Sequence, residues 1–297
     1  MDESEAMDRL DHQVLTRYTG SDSTDAVIRQ RMSFNERERR SYLVVARNHG
    51  AYPHHYKEYI HNGIIVEERV VQKSALLWGY ERHQELPPYP HPYASALLNG
   101  VICFERNRCI SEVKELLYSL SIDHRRFLFA LEFAQLIQCH WNMKPLIRNQ
   151  QMRDAFRWGL AALNHWGVLA VVEHGFYPDE VSLWEQVRVA NPEVFRFYQE
   201  FVSGEEKLTK RIELVHLAFE FLIRSKSRFY CDYVIEMVRS CQPATCEHLI
   251  HHATPSSLRS ILPLLLRVLV EQKILVEVYE KDSPQAGCEQ IYYNIGG

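Results

Sequence analysis

The sequence has few of the features that would assign a role at once. No apolar run approaches the roughly 20 residues that a membrane-spanning helix needs, so a membrane role is not expected. Met1 to Glu5 are acidic and carry no apolar stretch, which speaks against a secretory signal. Cysteine is sparse: seven residues, odd in number and without a repeated spacing, as expected for reduced thiols in a cytoplasmic protein. A Walker A motif and a GxGxxG loop are both missing. Strong basicity is missing too. Residues 1–109, 110–244 and 245–297 carry net charges of −1, −1 and −2, within a total of −4. Composition therefore announces no nucleic-acid-binding domain.

What remains is ordinary soluble material. The 297 residues are 46% hydrophobic and 24% charged, enough for more than one core. The first hundred residues read as mixed α/β. Val14 to Tyr18 and Ala26 to Gln30 are ambiguous, whereas Tyr42 to Ala46 suits a strand buried on both faces. Tyr56 to Ile60 and Ile64 to Val71 flank His61-Asn62-Gly63, a hairpin signal because Asn and Gly tolerate positive φ. Pro87, Pro88, Pro90 and Pro92 mark a stiff loop before a short helix ending at Gly100, and Val101 to Phe104 gives another strand. From Ile110 the period is helical. One helix is expected to end before Pro145, another spans 151–174 up to Gly175, and Asn191-Pro192 opens a third. A further helix spans 208–226, and several antiparallel helices with short links imply a bundle. The last part offers helices over Phe229 to Cys241, Cys246 to His252 and Ser256 to Gln272, the last kinked or broken by Pro263. Strands at Leu275 to Tyr279 and Gln290 to Ile295 complete the plan of a winged helix.

Several residue groups could carry chemistry. Gly20-Ser21, read between a strand and a helix, could present backbone N–H groups to a phosphate; a polar loop is the favoured explanation, since a two-residue motif is weakly specific. Metal-assisted nucleotidyl transfer needs carboxylates on adjacent strands. The strand Tyr42 to Ala46 has none, leaving Glu58, Glu67 and Glu68 on the hairpin, where exposed alternating charge is the plainer explanation. Six arginines (29, 31, 37, 39, 40 and 47) crowd a loop. Arg37, Arg39 and Arg40 are its candidate nucleotide or phosphate contacts, since guanidinium pairs bidentately with phosphate; a solvated loop beside Glu36 and Glu38 is the alternative.

Cys241, Cys246, His248, His251 and His252 lie close together but lack matched Cys and His pairs, so no metal site is assigned there. None is assigned to His49, His54, His55 and His61 either. Arg157 and His165 are separated by seven residues, wider than the Arg-to-His spacing of HEPN-type ribonucleases. RNA cleavage is thus not supported, and Trp158, Trp166 and Trp184 read as core. In the terminal module Arg259, Arg267, Lys273 and Lys281 are the candidate nucleic-acid contacts. The helix that carries the first two is strongly apolar, which suits a protein partner equally well.

Longer runs carry a family resemblance. They include Leu97-Leu98-Asn99-Gly100, Phe104-Glu105-Arg106-Asn107 and Glu132-Phe133-Ala134-Gln135-Leu136-Ile137. Others are Ala170-Val171-Val172-Glu173-His174-Gly175-Phe176-Tyr177-Pro178, Val181 to Val187, and Lys210-Arg211-Ile212-Glu213-Leu214 through Phe221-Leu222-Ile223. With these the chain resembles a nucleotidyltransferase-like family of Gram-positive bacteria, closely over about residues 95–240. The resemblance implies a polymerase-β-like nucleotidyltransferase domain, a helical bundle and a C-terminal helix-turn-helix. It also implies a Gly-Ser turn, an acidic pair on the next strand and a later third acid. Here the positions of the pair fall near Arg40, Ser41 and Tyr42, so no catalytic residue transfers.

The expectation is an α+β protein: a nucleotidyltransferase-like domain over 1–109, a helical bundle over 110–228 and a winged helix over 229–297. Its role is a catalytically degenerate nucleotide- or nucleic-acid-binding or regulatory scaffold, with no cofactor. The alternatives are an active nucleotidyltransferase, which would need Mg²⁺, and a DNA-binding or protein-interaction module acting through the winged helix.

Overall fold

The computed structural model describes residues 3–34, 37–47, 55–76, 93–241, 244–253, 256–280 and 290–296. The Pro87–Pro92 loop, His49, His54 and Lys281 lie outside them, as does the side chain of Arg37. Two compact units emerge: Met1–Leu120 with Asp179–Ser182, and Ser121–Pro178 with Leu183–Gly297.

In the first unit, helix α1 (Glu3–Thr19) precedes strands β1 (Thr24–Phe34), β2 (Arg37–Ala46), β3 (Tyr56–His61) and β4 (Ile64–Gln72). Short helices α2 (Lys73–Leu76) and α3 (Ala94–Asn99), strand β5 (Val101–Glu105) and helix α4 (Cys109–Tyr118) follow. The strands form one mixed sheet in the order β3-β4-β2-β1-β5. Only β2 and β4 run parallel; the other neighbours are antiparallel.

The ambiguous segment Val14 to Tyr18 is helical. Leu10, Val14 and Tyr18 recur every four residues and are all buried, which places one face of α1 on Val27, Tyr42, Val44, Val66 and Val70 of the sheet. Gly20-Ser21 therefore follows a helix and precedes β1, the reverse of the order read from sequence. The arginine-rich segment is likewise no loop. It is the body of the β1–β2 pair, with Arg31 opposite Arg40 and Arg29 opposite Tyr42.

Other expectations hold. Tyr42 to Ala46 is buried throughout, within a longer β2. Asn62 (φ 49°) and Gly63 (φ 84°) make the β3–β4 turn. No atom lies within 4 Å of a Cβ built on Gly63, so backbone conformation alone selects glycine there. Gly100 is selected by space instead. A Cβ there would lie 2.2 Å from the Ala96 carbonyl oxygen and 2.5 Å from Ile28 Cγ2.

The second unit is helical up to its final hairpin. It contains α5 (Ile122–Arg148), α6 (Met152–Glu173), α7 (Leu183–Ala190), α8 (Pro192–Ser203) and α9 (Leu208–Tyr230). Then come α10 (Asp232–Ser240), α11 (Cys246–His252), a 3₁₀ turn (Ser256–Leu258), α12 (Leu262–Glu271) and the hairpin β6 (Leu275–Glu280) and β7 (Gln290–Ile295). Helix α5 runs through Pro145 instead of ending before it. Proline removes one N–H and crowds one turn, and with three residues left the cost falls on the frayed end.

Gly175 (φ 84°) caps α6, its N–H donating to Val172 O at 2.9 Å. Asn191 accepts from Val194 N, with Pro192 in the first turn of α8. Pro263 starts α12 and does not kink a longer helix, because proline fits where the N–H has no helical partner. Among the described residues no helix is long and apolar enough to cross a membrane.

Candidate functional site

The parallel pair β2–β4 is where adjacent-strand carboxylates would hold a metal, and its side chains alternate between the two sheet faces. Ser41 lies opposite Glu67, and Tyr42 opposite Glu68. On the α1 face Glu68 is fully buried. Arg17 Nη1 donates to both its oxygens at 2.6 and 2.9 Å, Tyr18 Oη donates at 2.6 Å, and Tyr59 Oη donates at 2.6 Å. Desolvation alone would raise this carboxyl; the two tyrosines and Arg17 outweigh it and hold Glu68 below the usual carboxylate range. Burial first, then the hydrogen bond to Glu68, pushes the Tyr59 phenol up to about 12 against the opposing effect of Arg17.

Beside it, Asp11 of α1 accepts from Arg29, Arg40 and Tyr42. On the opposite face Glu67 accepts from Arg39, which also reaches Glu58 at 3.5 Å, and Arg69 lies 3.7 Å away. Arg47 grips the buried Asp25 at 2.8 Å. Each of these acids is already neutralised by a fixed cation. A divalent ion would have to displace guanidinium groups held at hydrogen-bond distance, against their repulsion.

The sequence-picked residues separate accordingly. Arg39 and Arg40 point to opposite faces of β2; Arg40 is buried and Arg39 is one-third exposed. Arg259 donates to Ala253 O at 3.3 Å. Arg267 pairs with Glu271 at 3.1 Å and lies 5.1 Å from the Trp141 ring. Lys273 is exposed in a left-handed conformation (φ 58°) beyond α12. The structure thus converges none of these on a single pocket among the described residues.

The helical unit holds groups that sequence reasoning missed. His140 of α5 and His216 of α9 bond through Nε2 and Nδ1 at 2.8 Å, and His216 Nε2 lies 3.7 Å from Glu220. Lys144 Nζ meets the same Glu220 oxygen at 3.1 Å. Glu220 favours a proton on His216 Nε2, which leaves Nδ1 to accept from His140. Burial first, then Lys144 and His216, pushes His140 down to about 3. Nearby in sequence but opposite in sign, His165 Nδ1 lies 2.8 Å from the buried Glu132. Burial opposes its charge, but bonds to Cys139 and Glu132 prevail and raise it to about 9. The only legible hint was an acid and two histidines on apolar helix faces.

Among the described residues, two groups bring three metal-ligating atoms within 4.8 Å of one another: His140, His216 and Glu220, and Cys241, His248 and His252. In the first, the Lys144 ammonium already supplies the positive charge. Arg157 stays apart from His165, stacked 5.3 Å from the Trp158 ring. Trp166 packs edge-on against Phe197 and Phe219, and Trp184 stacks on Tyr198.

Comparison with known proteins bears on the fold of the chain and on part of the helical unit. The chain superimposes on the crystal structure of a nucleotidyltransferase-like protein from Exiguobacterium sibiricum 255-15, with a TM-score of 0.65 and 22% identity, over 97% of this chain and 99% of that one. The protein is 29% identical over 179 residues to the uncharacterized protein YgxA of Bacillus subtilis (strain 168), a match spanning 60% of each chain. Residues 126–226, from α5 to α9, match the YgxA-like substrate binding domain. The chain is therefore similar to the YgxA proteins, in a nucleotidyltransferase-like fold with a YgxA-like substrate-binding domain.

Proposed function

We propose that this protein is a catalytically degenerate nucleotidyltransferase that binds a nucleotide or nucleic acid as a regulatory scaffold. One observation carries the reading: the acids of β4 and α1 that border the expected metal position are each bound by arginine or tyrosine, and β2 offers Ser41 and Tyr42 in place of an acidic pair. Transfer of a nucleotidyl group needs two carboxylates free to hold divalent ions in line with the triphosphate. Binding needs only cations. Arg39, partly exposed on the face away from α1, is the phosphate contact this reading favours, with Arg37 beside it in sequence; Arg40 acts through Asp11.

The C-terminal order α10, α11, α12 and a hairpin supports reading it as a winged helix. Its α12 turns Leu262, Leu265, Leu266, Val268 and Leu269 inward, and Arg267 is held by Glu271 and Trp141. Those engagements favour a protein partner there over a DNA groove.

Incorporation of labelled nucleotide by the full chain in Mg²⁺ or Mn²⁺, together with ATP binding, tests the proposal. The expected result is no transfer, with salt-sensitive binding that weakens about tenfold in Arg39→Ala, as for loss of one charge-assisted contact. Metal-dependent incorporation that disappears in Glu67→Gln or Glu68→Gln would overturn it.

A further inference from the structure

We propose a second, independent site: a zinc centre held by Cys241, His248 and His252, with water in the fourth position. Cys241 follows α10 in an extended conformation (φ −103°, ψ 107°) that ends the helix. His248 and His252 stand one turn apart on α11, the spacing that puts two side chains on one helix face. The scaffold beneath them is firm. Thr245 caps α11 by accepting from His248 N, Leu249 is fully buried, and Tyr293 of β7 donates to Ala244 O at 3.0 Å.

The distances suit a small tetrahedral ion. Zinc–sulfur and zinc–nitrogen bonds of about 2.3 and 2.0–2.1 Å set a tetrahedral S···N separation of about 3.6 Å. Cys241 Sγ and His248 Nδ1 lie 3.9 Å apart, and the three donor atoms all fall within 4.8 Å. The His248 and His252 rings are near-perpendicular, 85° apart with centroids at 4.5 Å. A modest rotation of the exposed His252 brings its nitrogen onto the same ion.

One thiolate and two imidazoles favour zinc over calcium or magnesium, which select oxygen. Three protein ligands leave a position open to solvent, unlike a closed four-ligand structural site. The rival group at His140, His216 and Glu220 differs in one respect that decides between them: Lys144 sits 3.1 Å from its carboxylate, whereas the Cys241 group is built from sulfur and nitrogen donors alone.

The test uses the full chain, reduced with a phosphine and stripped with chelator. Zinc is titrated by competition with a chromogenic chelator, and cobalt(II) is substituted as a spectroscopic probe. The expected result is one equivalent bound per chain and a thiolate-to-cobalt charge-transfer band. Cys241→Ser abolishes that band, and His248→Ala and His252→Ala each weaken zinc by at least about tenfold. The neighbouring Cys246→Ser and His251→Ala variants retain wild-type affinity, and far-ultraviolet circular dichroism verifies the fold of each protein. Absence of stoichiometric binding, or a charge-transfer band that survives Cys241→Ser or vanishes with Cys246→Ser, would overturn the assignment.

Discussion

The sheet unit and the helical unit treat buried charge in opposite ways. In the sheet unit single carboxylates gather donors from several residues. Glu68 has Arg17, Tyr18 and Tyr59, and Asp11 has Arg29, Arg40 and Tyr42. In the helical unit the imidazoles are the focus instead: His165 meets Cys139 and Glu132, and His140 meets His216. Geometry explains the contrast. Strands about 4.8 Å apart bring side chains from several neighbours and from α1 onto one carboxylate, whereas helix axes 8–10 Å apart bring fewer side chains onto each imidazole. Glu68 is therefore held below the usual carboxylate range, while in the helical unit burial lowers His140 and the bonds to Cys139 and Glu132 raise His165.

Breaking the sheet network has the largest expected effect. Glu68→Ala leaves Arg17 and two tyrosines facing an apolar gap and should destabilise the protein by about 3–5 kcal/mol, measured by chemical denaturation. A change below about 1 kcal/mol would show that the network adds little beyond packing.

The pH dependence of the helical unit comes next. His165 is raised to about 9 from the ordinary 6.5, so its pairing with Glu132 stabilises fully below pH 6.5 and is lost as pH rises through about 9. The loss is about 3 kcal/mol. Thermal unfolding from pH 6 to 10 should show that slope in the wild type and not in His165→Asn.

His140 gives the opposite sign. Held near 3 when folded, it is neutral in the native state and protonates near 6.5 on unfolding. Its contribution is complete above 6.5 and falls by about 2.5 kcal/mol by pH 4.5. His140→Leu should flatten the acid side of the stability profile by that amount, and an unchanged profile would mean that burial, with Lys144 and His216, does not keep the ring neutral.

The smallest effect is expected at Arg39. Arg39 is one-third exposed, but its partner Glu67 is buried and would be left with Arg69 at 3.7 Å, so Arg39→Ala should cost about 1–2 kcal/mol in stability while weakening nucleotide binding. Equal losses of fold and binding would remove Arg39 from the binding role.

Much of the fold was legible locally. The Asn62-Gly63 hairpin, the Gly175 helix end and the Asn191-Pro192 start follow from residues whose backbone preference is strong, and the Gly100 helix end from the space its missing side chain leaves. The failures share one cause. Val14 to Tyr18 and the arginine segment have no local preference strong enough to choose, and long-range packing chose for them: α1 by burying Leu10, Val14 and Tyr18, and β1–β2 by laddering with β4 and β5. At the site, the lack of an acid on Tyr42 to Ala46 was plain from the residues. That Glu67 and Glu68 point to opposite faces follows from strand alternation, but their ion pairs with arginines 17 and 39 span 51 and 28 positions of sequence. No spacing rule reaches that far.

The sequence by itself therefore determined the turns and helix boundaries marked by Gly63, Gly175 and Asn191-Pro192, which strand lacks its acids, and that no apolar run is long enough for a membrane-spanning helix. Only the tertiary structure decided which cation neutralises which acid, which histidine is charged and which is not, and that Cys241 meets His248 and His252. Local conformation is set by each residue's own sterics and hydrogen-bonding groups. Protonation and ligation are set by neighbours that the folded chain alone brings within a few ångströms.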